Sequence, residues 1–183
     1  MQSRTIMITS LTAYMDQILV MAFLSGYPLI YAMVYFIAGT QSKKSNDLLI
    51  RMVSLLPLAY AFTATLFLAL VLKNMFPDYS LTNISIQFKD VYIKIWGILA
   101  VLFWIPALNK RPVFSLLHSL VIFSLLLKDL FVSMTSSVSS DHIKNDMKVY
   151  TDSLLLNIGS FALILFVHFL FTKFRNSKKS SLN

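Results

Sequence analysis

Between Asp16 and Lys43, and again between Arg51 and Lys73, the chain carries no charged side chain at all. Each run reaches the ~20 apolar residues that a helix needs to cross about 30 Å of hydrocarbon. Within lipid a single segment can satisfy its backbone hydrogen bonds only by coiling into a helix, so these runs dictate transmembrane helices. Three further segments follow the same logic. Ile95 to Asn109 lies between Lys94 and Lys110 and becomes long enough if the helix starts near Val91 and Lys94 snorkels outward. The fourth runs from Pro112 to Met134 and the fifth from Ser153 to Thr172. The expected fold is therefore an all-α, polytopic integral membrane helical bundle with five spans. Residues 1–172 form the transmembrane domain and 173–183 a basic cytosolic tail.

The charges sort themselves by connection. Lys43, Lys44, Arg51, Lys110, Arg111, Lys173, Arg175, Lys178 and Lys179 fall in alternate connections, where only Asp47 opposes them. These segments account for the whole net charge of +8. In the remaining segments seven basic residues balance seven Asp. Cytoplasmic loops retain Lys and Arg, so this bias places the N-terminus outside and the C-terminus in the cytoplasm, with a bacterial inner membrane as the expected location. A four-span layout with 91–108 re-entrant would put the basic tail opposite Lys43 and Lys44 and forfeit that bias. At 57% hydrophobic and 13% charged, the chain lacks the polar surface to coat a soluble globule. The first run is longer than a signal-peptide core and lacks a small-residue cleavage site, so it is expected to remain as a span.

The connections divide by side. Asn109 to Pro112 is short enough to force spans three and four into an antiparallel hairpin. The outer segment Asn83 to Phe88 places Ile84, Ile86 and Phe88 on one side of an extended stretch, either as a short strand or as a loop leaning on the bilayer. Met134 to Ser140 is Ser-rich and reads as a flexible connection. Ala61, Thr65 and Ala69 recur every four residues and form a small-residue face for helix packing, against another span or a second copy of the chain. Tyr27, Tyr31 and Tyr35 make a similar row on span one, read as aromatic packing or as hydroxyls along a polar path. Pro28, Pro57 and Pro106 can kink spans one to three.

Polar groups inside a membrane need partners and are the natural functional candidates. Lys94, Lys128, Asp129, Asp152 and Asn157 fall near the outer ends of spans three to five, where either an ionic network or simple snorkelling would satisfy them. His118 and His168 lie nearer the inner side, as a proton-sensitive pair or as two separately bonded histidines. Asn157 and His168 share a helical face, which should point into protein.

Enzyme signatures are poor. The chain contains no Glu and no Cys, so Glu-based metalloprotease motifs, Glu acid/base pairs and thiol chemistry cannot be written. Asp141, His142 and Asp146 offer metal-ligand atoms but lack further ligands. Ser25-Gly26 makes no nucleophile elbow, and no Gly-rich phosphate loop occurs. No cofactor or metal is expected. The basic balance lacks a nucleic-acid module, which leaves the lipid bilayer, a homo-oligomer and an acidic cytosolic protein as the expected partners. The leading expectation is a noncatalytic membrane subunit that recruits that protein through Lys43, Lys44, Lys110, Arg111, Lys173, Arg175, Lys178 and Lys179. A small-solute carrier or transporter component is the alternative, and an intramembrane enzyme without the usual motifs the third.

In layout, through the runs Ile18 to Ala38, Met52 to Leu72, Val91 to Leu108, Pro112 to Met134 and Ser153 to Thr172 with their basic inner segments, the chain resembles the membrane subunit of Kiwa-type bacterial antiphage systems. That resemblance covers the whole chain and rests on no diagnostic motif. It implies a membrane sensor acting beside a separate cytosolic effector, and it assigns no functional residue.

Overall fold

The computed structural model describes residues 18–40, 46–75, 91–135 and 140–180. A helical stretch at 18–24 (α1) is followed by α2 (Tyr27–Thr40), α3 (Asn46–Met75) and α4 (Val91–Leu99). A 3-10 helix (Ala100–Trp104), α5 (Pro106–Asn109), α6 (Pro112–Thr135) and α7 (Ser140–Ser180) complete the order. Among the described residues there is no strand, and the fold is the expected all-α bundle. Lys43, Lys44 and the segment from Asn83 to Phe88 lie outside the described residues. So do the side chains of Lys178 and Lys179.

Among the described residues four helical stretches, Ile18–Phe36, Ile50–Asn74, Pro112–Val132 and Met147–Arg175, are long and apolar enough to cross a membrane, and Tyr92–Trp104 is a shorter apolar helix. The short piece starts at Val91, as its charge spacing predicts, but does not continue as one α-helix. It tightens to 3-10 geometry at Ala100 and stops at Ile105, whose extended backbone (φ −69°, ψ 125°) precedes Pro106. A residue before proline is pushed out of the helical region, while proline itself suits a helix start, which is where Pro106 sits. Nine α and five 3-10 residues rise about 24 Å, less than the hydrocarbon thickness. By contrast, α3 runs through Pro57 as a single helix.

Aromatic pairs fix the relative directions. Phe23 meets Phe67 and Tyr27 meets Tyr60, so the first span opposes α3. Gly97 lies against Phe67, and Phe103 meets Tyr60, so α4 and the 3-10 helix also oppose α3. Trp96 and Phe103 both reach His118 on α6, beyond the tight turn at Lys110 and Arg111. The core joins these elements through Val20, Leu24, Leu56, Ala64, Ala100 and Ile122.

The last helix departs most from expectation. It begins at Ser140, thirteen residues before the predicted start, so Asp141, His142 and Asp146 belong to helical backbone. Acidic residues in a first turn are favoured by the helix dipole, a local preference that hydropathy does not register. The helix also continues through Lys173 to Ser180 with no break at the start of the tail. Its 41 residues span about 60 Å. One face, Val149, Ser153, Asn157, Ser160 and Phe161, is buried at the helical period, whereas Phe166, Phe169, Phe171 and Phe174 are exposed.

Candidate functional site

The interior polar groups gather in two places. The first is a break in the first span. Ser25 N–H still donates to Met21 O at 3.1 Å, and a new helix opens with Ile30 N–H donating to Gly26 O at 3.4 Å. Between them, groups that a continuous helix would pair internally are paired with α7. Gly26 N–H donates to Ser153 Oγ at 2.8 Å instead of to Ala22 O. Phe23 O, which would otherwise take Tyr27 N–H, accepts from Asn157 Nδ2 at 2.8 Å. Ser25 Oγ donates to Met21 O at 2.6 Å and is hydrogen bonded to Ser153 Oγ at 3.0 Å, and Asn157 Nδ2 also donates to Ser153 O at 2.9 Å. Pro28, which has no N–H to give back to Leu24 O, helps keep the break open. Only a glycine fits at the contact, because a Cβ on Gly26 would stand 2.7 Å from Ser153 O.

The second place is an aromatic cluster around His118. Tyr60 Oη and His118 Nδ1 are hydrogen bonded at 2.9 Å, and the Trp96 indole stacks on the imidazole with centroids 4.6 Å apart. The same indole N–H donates to His118 O at 3.1 Å. Phe103 approaches the imidazole edge-on at 5.7 Å. One turn nearer the hairpin, Tyr27 Oη and Ser115 Oγ are hydrogen bonded at 2.7 Å, and the Tyr27 and Tyr60 rings lie 4.4 Å apart. Among the described residues, the buried atoms His118 Nε2 and Asn109 Oδ1 have no hydrogen-bond partner. Together these contacts tie the first span, α3, α4 and α6 into one unit.

Several expected sites are rearranged. His118 and His168 do not form a pair, because His118 sits in the cluster whereas His168 is exposed. The face shared by Asn157 and His168 points inward only at Asn157, since the contact row of α7 gives out near Leu165. Lys94 does not snorkel: it is 4% exposed. Neither it nor Asp129 is without a partner. Lys128 and Asp152 are exposed, and Asn157 is committed to the first span. The small-residue face is divided along its length. Ala61 is buried, Thr65 accepts from Trp104 Nε1 at 2.9 Å while donating to Ala61 O, and Ala69 is exposed. Of the tyrosine row only Tyr27 is buried, with Tyr31 half-buried and Tyr35 stacked on it at the surface. Lys110, Arg111, Lys173 and Arg175 are all exposed, and the Arg111 guanidinium lies 5.7 Å from the centre of the Phe114 ring. Among the described residues no cluster of His, Cys, Asp or Glu could hold a metal.

Ser153, Ser115, Tyr60 and Trp96 were not singled out from sequence. A usable signal was present for two of them: Ser153 precedes Asn157, and Ser115 precedes Ser119, by one helical turn on an otherwise apolar face.

These helices and their polar ties define an all-α, multi-pass integral membrane protein. No protein-family model, curated protein or solved structure matches the chain.

Proposed function

We propose that this protein is a noncatalytic, homo-oligomeric subunit of a membrane complex, crossing a bacterial inner membrane five times, with α4, the 3-10 helix and α5 in series making the third crossing, and recruiting an acidic cytosolic protein. The observation that carries the reading is the exposure of Lys110 and Arg111 on a tight hairpin turn, together with Lys173 and Arg175 on the last helix. Distances along the helices support a common basic layer for Arg51 and Arg111, whereas Lys173 lies 20 residues beyond Ser153, or about 30 Å, on a helix that extends past them. Arg111 is seven residues from His118, or about 10 Å, and Arg51 is nine from its partner Tyr60, or about 14 Å. Arg51 and Arg111 thus fall within a helical turn of each other in depth. The exposed position of Ala69 leaves part of the small-residue face for a second copy. A sensor that recruits an antiphage effector is the specific form of this reading that the Kiwa resemblance implies.

The test is to neutralise Lys110, Arg111, Lys173, Arg175, Lys178 and Lys179 and to capture partners from membranes after checking insertion. Binding should weaken, and what remains should lose its salt sensitivity. A correctly inserted variant with unchanged affinity at low and high salt would defeat the proposal. One observation favours the carrier reading as a second possibility: the first span is interrupted at Ser25–Gly26, and interrupted helices commonly build substrate sites in transporters. A small molecule retained through purification would favour it.

A further inference from the structure

The hydrogen bonds at Ser25–Gly26 are exchanged rather than lost. Ser153 and Asn157 supply the acceptor and the donor that the first span gives up at its break. In hydrocarbon an unsatisfied backbone group is costly, so the span can stay broken only while α7 is docked there. If α7 withdraws, the span can recover those bonds by closing Gly26 N–H onto Ala22 O and Tyr27 N–H onto Phe23 O, which straightens it. Leu24 O receives no N–H from Pro28 in either form, so the two arrangements differ by the exchanged bonds at Gly26 and Phe23, which are made in both, as a two-state element requires.

We infer that the break and the docking of α7 form a conformational switch: with the first span broken α7 is held at Ser153 and Asn157, and with the span straightened α7 is released. The helix that moves also carries Lys173 and Arg175. Any perturbation of the first span is thereby passed to the basic end of α7. The signalling meaning of this movement rests on the recruitment reading above, but the movement itself is measured without a partner.

The native chain contains no cysteine, so spin labels can be placed cleanly. One pair goes on the exposed sites Tyr35→Cys and Phe174→Cys, which report α7 against the first span. A second pair, Ile50→Cys and Leu117→Cys, reports α3 against α6. In lipid nanodiscs, Gly26→Ala should shift the first distance by several ångströms, because its methyl group meets the Ser153 backbone. Ser153→Ala and Asn157→Ala remove bonds without adding bulk at the contact and should broaden that distance towards the same new value. The second distance should stay fixed in all three variants. An unchanged first distance in all three would overturn the switch. So would a matching change in the second pair, since that marks general loosening of the bundle.

Discussion

His118 shows how much a single side chain can be asked to join. Its ring is stacked on Trp96 from α4, edged by Phe103 from the 3-10 helix and hydrogen bonded to Tyr60 from α3. The Tyr60 bond is the polar part of this arrangement, and its removal leaves both ring nitrogens without a hydrogen-bond partner among the described residues. Hydrogen bonds between membrane helices average well below 2 kcal/mol, because the separated helices also find partners. Tyr60→Phe should therefore cost about 0.5–1.5 kcal/mol while leaving the ring contacts intact. Tyr35→Phe, at an exposed ring, should cost nothing. Reversible unfolding in mixed micelles measures both, and equal stabilities would show that the Tyr60 bond contributes nothing.

At the scale of elements, the small-residue face of α3 separates two kinds of packing that its sequence presents as one. Ala61 is buried inside the chain, so Ala61→Leu should destabilise the monomer by about 1–3 kcal/mol through overpacking. Ala69 is exposed, so Ala69→Leu should leave the melting temperature unchanged and alter only the mass of any oligomer in detergent. A lower melting temperature for Ala69→Leu, or none for Ala61→Leu, would contradict this division. The sequence made the helices themselves legible, because lipid permits long charge-free runs so few alternatives. It also marked the start at Val91 and the hairpin turn at Lys110 and Arg111. Hydropathy could not reveal the polar beginning of α7, whose helix is continued from Ser140 through residues that no bilayer selects. The break at Ser25–Gly26 was hidden for a different reason. Its cause is divided between Gly26 and Pro28 on one helix and Ser153 and Asn157 on another, 127 residues of chain away from Gly26 to Ser153. Likewise, the charge spacing allowed Lys94 to reach water, whereas its burial depends on neighbours that only the assembled bundle defines.

For the molecule as a whole, the alternation of basic segments makes orientation a measurable property. Cysteines introduced singly at Ser45 and Ser180 should be shielded from an impermeant reagent added outside, and one at Ser139 should react. Labelling of Ser180→Cys but not Ser139→Cys would reverse the proposed orientation. The length of α7 matters at this scale too. From Ser153, where the first span grips it, to Ser180 is 27 residues, or about 40 Å of rigid arm. Pivoting by only about 6° at that grip would swing the far end through about 4 Å, the width of a side-chain contact. The helix would then work as a lever, turning a local rearrangement of two hydrogen bonds into a displacement large enough for a neighbouring protein to read.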